Sequence, residues 1–166
     1  FLMMAVWNFF NGGLESSSEM AGLITTLVFM GLTGGLLVKD IDRPDRFLYV
    51  LLRPQWKSWL VRGAYIITSF GGFVSLKLLD NYLQLGLHWL WIPGLVFAGL
   101  GAVYTAFLFN QARARDLWQT PIQSAIHMLV HAIMAGSVVM MVIAPESFQW
   151  MANILLWGIV ANVVIM

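Results

Sequence analysis

The sequence predicts an all-α integral membrane protein with about five transmembrane helices, four of them forming an antiparallel up-and-down bundle. Three observations lead there. The 166 residues are 60% hydrophobic and only 10% charged, with a mean hydropathy of +0.79, which does not suit a water-soluble domain. The apolar residues fall into long runs, each near the roughly 20 residues that a hydrocarbon core of about 30 Å requires. The charges gather in the breaks between those runs, as they do at membrane edges.

Taken in order, residues 1–12 read as the tail of an earlier span. Asn11–Glu19 (NGGLESSSE) is too polar for lipid and reads as a loop or a helix start. The five spans are Met20–Val38, Trp59–Leu79, Gly86–Phe109, Ile122–Ala144 and Trp150–Met166. The connection 39–58 is long enough for a short interfacial helix over Asp45–Leu52, with Pro44 suited to its entry and Pro54 to its end. The other connections are Asp80–Leu85, Asn110–Pro121 and Pro145–Gln149. The expected organisation is therefore a partial first helix and polar loop (1–19), a four-helix bundle (20–144) and the start of a further helix (145–166). Both chain ends lie in apolar runs, so a piece of a longer, eight- to ten-helix protein is expected. Small residues recur where helices would approach closely: Gly31 and Gly35 as a GxxxG, then Gly94, Ala98 and Ala102, then Ala132, Ala135 and Gly136. Each row predicts tight packing in lipid, where apolar burial gives no drive between helices.

Charge is concentrated in Lys39–Arg62, which holds six of the nine Lys and Arg and three of the eight Asp and Glu. With Arg113 and Arg115 it makes one edge basic; the other edge has Lys77 beside Glu15, Glu19, Asp80 and Glu146. The positive-inside rule alone would put the basic loops in the cytoplasm. The absence of cysteine excludes disulfides, Cys-ligated zinc and iron–sulfur ligands in this sequence. No phosphate-cradling GK[ST] loop, HExxH or nucleophile elbow is present, which excludes a self-contained ATPase or hydrolase of those kinds. Nothing points to nucleic acid.

Three groups could carry chemistry. Asp40, Asp42, Arg43, Asp45 and Arg46 could hold a proton-accepting group at a membrane edge; the alternative is a solvated loop whose arginines snorkel to lipid phosphate. Tyr104 lies about two turns inside the basic end of its helix, with Gly101 and Phe97 at i−3 and i−7 on its face. That slot suits a flat quinone ring with a hydrogen-bond donor at its carbonyl; the alternative is a buried tyrosine bonded to a neighbouring helix. His127 and His131, at i,i+4, share one helix face. One helix cannot place both axial ligands on opposite faces of one haem, so a proton relay or interhelical hydrogen bonding is the better expectation.

The stretch from Asp40 to Gly63 resembles the polysulfide-reductase membrane-subunit (NrfD/PsrC-type) family, also found in alternative complex III. Its members show Asp-Leu-Gly-Arg-Pro-x-Arg-Phe, an aromatic, Leu-Leu-Arg-Pro, and Ser-Trp followed by Gly-Ala. Here these are Asp40-Ile41-Asp42-Arg43-Pro44-Asp45-Arg46-Phe47, Tyr49, Leu51-Leu52-Arg53-Pro54, Ser58-Trp59 and Gly63-Ala64. Downstream, Tyr104–Leu108, Ala112–Trp118 and Pro121–Gly136 continue the resemblance. Asp42 stands where the family has glycine, and Trp7–Leu14 matches the family's first helix only weakly. The resemblance implies a quinone-reactive membrane subunit of a multi-subunit oxidoreductase in a prokaryotic cytoplasmic (inner) membrane, with proton translocation as an option. It implies menaquinone or ubiquinone as the bound cofactor and no haem or iron–sulfur cluster in this chain. The implied partners are a ferredoxin-like iron–sulfur subunit near the 39–58 and 110–121 loops and molybdopterin or multihaem subunits in the same complex. The implied pocket uses Asp40, Ile41, Asp42, Arg43, Pro44 and Tyr104, with Phe97 and Gly101 beside the tyrosine. Asp40 or Asp42 would exchange a proton, Tyr104 would orient a carbonyl, and His127 and His131 would pass protons onward. In many members the iron–sulfur partner is periplasmic, which opposes the charge count; the side stays open. A transporter or ion-channel fragment and a purely structural membrane anchor are the competing readings.

Overall fold

The computed structural model describes residues 1–40, 55–110 and 121–165, excluding the side chains of residues 37, 38, 40, 109, 110 and 121. Among the described residues every regular element is helical: α1 (Leu2–Asn11), α2 (Ser16–Asp40), α3 (Trp59–Leu83), α4 (Trp91–Asn110), α5 (Pro121–Ile143) and α6 (Phe148–Ile165). Single 3-10 turns, His88–Leu90 and Pro145–Ser147, lead into α4 and α6. Five of these stretches are long and apolar enough to cross a membrane, so the expected all-α membrane architecture is the observed one. The expected interfacial helix over Asp45–Leu52 lies outside the described residues.

Several boundaries move for local reasons. α2 starts at Ser16 rather than Met20, because three serines and Glu19 suit a first turn whose free N–H groups favour polar and acidic side chains. α3 continues past Leu79 to Leu83 and draws Asp80 into the helix. It ends where Gln84 takes a left-handed conformation (φ 56°) and its N–H bonds the Asp80 carbonyl. Gly12 and Gly13, at φ 82° and 116°, make the turn from α1 to α2, a backbone path that side chains disfavour.

Consecutive spans alternate in direction, and α2–α3, α3–α4, α4–α5 and α5–α6 pack as neighbours. α1 is short and lies inside the bundle against α4 and α5. Its Met3, Met4 and Ala5 are buried with Leu23, Val74, Trp91, Met140 and Met151 in the central cluster. Glycines on the surrounding helices make room. A methyl on Gly22 would strike the Met4 side chain, and one on Gly136 would strike Met3. Met30 sits on Gly71 and Met134 on Gly158 in the same way. An unbranched thioether fills such gaps readily.

The small-residue rows fare unequally. Gly136 packs closely, and Ala98, Ala132 and Ala135 line a cavity. Gly31 and Gly35, the GxxxG pair, are exposed with nothing within 4 Å among the described residues. That stretch of α2 turns its glycines outward, and spacing alone does not say which face of a helix points in.

The α3–α4 seam positions the site described next. Trp59 stacks on Phe107 with ring centroids 4.7 Å apart and planes 13° apart. Phe73 stacks on Phe97 at 5.3 Å and 26°. Between these two stacks, the Tyr104 ring of α4 lies directly against Gly63 of α3.

Candidate functional site

A cavity of about 560 Å³ lies between α2, α3, α4 and α5, with the start of α1 on one side. Its walls are mainly apolar, with the hydroxyl-bearing Thr25, Thr26, Thr33, Tyr104 and Thr105 among the lining residues. The α2 threonines are committed locally: Thr25, Thr26 and Thr33 donate to the carbonyls of Ala21, Gly22 and Phe29 at 2.7–2.8 Å, and Thr26 also accepts from the Phe1 amino group at 3.4 Å. Tyr104 differs. Among the described residues no hydrogen bond engages its hydroxyl, which leaves a donor at the wall of an apolar slot, the arrangement that orients a polar-edged flat ligand.

The residues singled out in the sequence divide. Tyr104 and Gly101 line the cavity together, and nothing stands within 4 Å of a Cβ built on Gly101, so its missing side chain is open space. Phe97 does not line the cavity; its ring turns to Phe73 on α3. Two α-helical turns leave positions i and i+7 only about 20° apart around the axis, yet that drift, with the pull of a stacking partner, takes Phe97 to the seam. Asp40 is the last residue of α2, seven positions beyond the cavity-lining Thr33, or about 10 Å along the axis. Ile41, Asp42, Arg43 and Pro44 lie outside the described residues, as do most of the expected docking loops 39–58 and 110–121.

The rings of His127 and His131 lie against one another with centroids 4.4 Å apart and planes tilted by 43°. His131 is exposed on the outer surface, where its Nε2 lies 3.3 Å from Asn162 Nδ2 of α6. Neither histidine lines the cavity. The contact of His131 with Asn162 is interhelical, while that between the two histidines lies within α5. Among the described residues no three His, Asp or Glu side chains gather as a metal ion would require.

One cluster escaped the sequence reading. Lys77, taken there as an edge charge, is 3% exposed and Asp80 is 3% exposed. Lys77 Nζ lies 2.7 Å from Asp80 Oδ2 and 3.4 Å from Glu19 Oε1, and 5.3 Å from the centroid of Trp91. The second Asp80 oxygen accepts the Leu87 N–H at 2.8 Å. The legible signal was the i,i+3 spacing of Lys77 and Asp80, which puts opposite charges on one helix face; the partner on α2 carried no such mark.

No curated protein and no solved structure matches the chain. Residues 2–150 match the family described as polysulphide reductase, NrfD. That span includes all of α1–α5 and the cavity they enclose. The chain therefore belongs to the NrfD polysulphide reductase family, the membrane subunits of respiratory reductase complexes.

Proposed function

We propose that this chain is the quinone-reactive membrane subunit of its complex: it binds a quinone or quinol, menaquinone or ubiquinone, beside Tyr104 and exchanges electrons with a docked iron–sulfur subunit. The observation that carries the reading is the apolar cavity with the Tyr104 hydroxyl at its wall and the open space above Gly101. A quinone takes up two electrons and two protons to become a quinol, and the reverse reaction releases them. The electrons pass through the iron–sulfur partner, so the chain itself must hold the ring and handle the protons.

Tyr104 donates a hydrogen bond to a ring carbonyl oxygen and thereby fixes the ring's orientation. Apolar walls exclude water and strengthen that bond. Asp40 or Asp42 exchanges the proton at the basic edge, with Arg43 holding the carboxylate in its charged form. Ile41 and Pro44 complete the apolar border. The span of about 10 Å from Thr33 to Asp40 is bridged by the ligand's own length or by water. His127 and His131, outside the cavity, serve proton translocation only if a path reaches them from the bundle's outer surface. The docking face for the iron–sulfur subunit is the edge bearing the 39–58 and 110–121 loops, with molybdopterin or multihaem subunits beyond it.

The test is titration of the intact purified complex with the quinol analogue heptyl-hydroxyquinoline-N-oxide, for wild type, Tyr104→Phe and Asp40→Asn. Saturable binding weakened by either substitution supports the reading. No binding to the intact wild-type complex would leave a passive anchor or a transport subunit, which solute flux in liposomes separates.

A further inference from the structure

We propose that Gly63 is a positioning residue for the quinone site: it is the seat on which the Tyr104 ring rests, and its missing side chain sets where the phenol stands. The inference rests on the quinone reading above and adds a residue on a different helix. A methyl built on Gly63 would lie 2.6 Å from Tyr104 Cδ2 and 3.3 Å from Cζ, and nearer still to Cε2. No real Cβ tolerates such contacts, so something must move.

The surroundings decide what moves. Elsewhere in the bundle, Gly22 and Gly71 meet the ends of methionine side chains, where a flexible thioether can swing away; Gly136 and Gly158 meet methionines nearer their base, and Gly94 meets the Phe1 ring. Here the neighbour is a rigid planar ring carried on Cβ. The helices cannot separate cheaply either. Trp59 on Phe107 pins the seam one turn before Gly63, and Phe73 on Phe97 pins it below. Val61 and Ala64 flank Gly63 and are buried at 6% and 8% exposure. With the backbones held, the ring gives, and it can give only by rotating away from α3. Tyr104 lines the cavity, so any such rotation alters the wall and carries the hydroxyl off its position. Displacements of about 1 Å in a positioned group can cost on the order of a hundredfold in rate.

The experiment compares Gly63→Ala with Gly72→Ala in the intact complex. Gly72 is on the same helix, exposed, with nothing within 4 Å of its built Cβ, so it controls for the propensity change. Two readouts are taken: KM and kcat for quinol, and the 19F resonance of 3-fluorotyrosine placed at position 104, which needs no quinone. The expected result is a moved 19F resonance and a KM raised by at least about tenfold for Gly63→Ala, with Gly72→Ala like wild type. If Gly63→Ala does not assemble, the pair Gly63→Ala/Tyr104→Leu, which removes the ring, should assemble. An unmoved resonance, an unchanged KM, or failure of the pair to assemble overturns the proposal. A moved resonance in a complex whose wild type binds no quinol analogue overturns the quinone reading and the positioning role with it, while the contact between ring and glycine stands.

Discussion

The two edges of this bundle are built on opposite principles. At one edge the connections are short: residues 12–15, 84–87 and Ala144. Three of its charges are turned inward and satisfied, with Lys77 between Asp80 and Glu19 and the Leu87 N–H on Asp80, while Glu15 and Glu146 are exposed. The Trp7 indole N–H reaches the Gly13 carbonyl at 3.1 Å, and its ring meets Trp150 edge-on. At the other edge the helices are joined through residues 41–58 and 111–120, which carry most of the basic residues. Arg62 there is exposed, bonded to the Trp56 carbonyl at 2.7 Å and stacked over Trp59 at 4.8 Å. The buried charge at the first edge holds helices together, whereas Arg62 at the second is exposed and, among the described residues, contacts those that lead into its own helix. Burial thus separates Lys77, which ties α2 to α3, from Arg62, which does not.

The comparison breaks most sharply at Lys77. Lys77→Met should leave Asp80 and Glu19 without their cation and cost about 3–5 kcal/mol, since removing one partner strands a buried charge. Thermal unfolding of the detergent-purified complex should show a large loss, whereas Arg62→Met at the exposed edge should change stability by under about 1 kcal/mol. An equal loss in both would end the contrast. Gly101→Leu comes next: it fills the cavity beside Tyr104, so binding of the quinol analogue should fall by more than about a hundredfold while the complex still assembles, as read by native gel and titration; on the usual scale this is about 2.7 kcal/mol. Tyr104→Phe should weaken binding by about tenfold, one hydrogen bond's worth, with no change in melting. The smallest effect is expected at the outer surface, where Asn162→Leu removes the contact to His131 and should cost about 0.6 kcal/mol, the average for a hydrogen bond between membrane helices.

Much of this fold was legible because lipid forces it to be. A span must be long and apolar, so the five spans were read within a few residues of their observed ends. Tyr104 and Gly101 were legible as a pair because a polar hydroxyl in an apolar helix is conspicuous. What stayed hidden depends on which way a helix is turned. Gly31 and Gly35 carried the small-residue motif yet face outward, while Gly63 and Gly22 lie in no such row and make close contacts. Phe97 was assigned to the tyrosine's face and belongs to the seam. Lys77 looked like an edge charge because hydropathy counts residues and not their partners; pairing with Asp80 and Glu19 is what lets it lie buried. In lipid every outward face is apolar, so the amphipathic stripe that orients a helix in a soluble protein is weak here.

The pairing of glycines with methionines through the bundle has a consequence for how the sequence can drift. Four of the close contacts fall on methionine side chains, and at Gly22 and Gly71, where the contact is with the end of the chain, a substitution meets a neighbour able to rearrange. Gly63 faces an aromatic ring held between two stacked pairs. The interior is therefore more forgiving where a glycine meets the end of a thioether than where it meets a ring, as Gly63 meets Tyr104 and Gly94 meets Phe1.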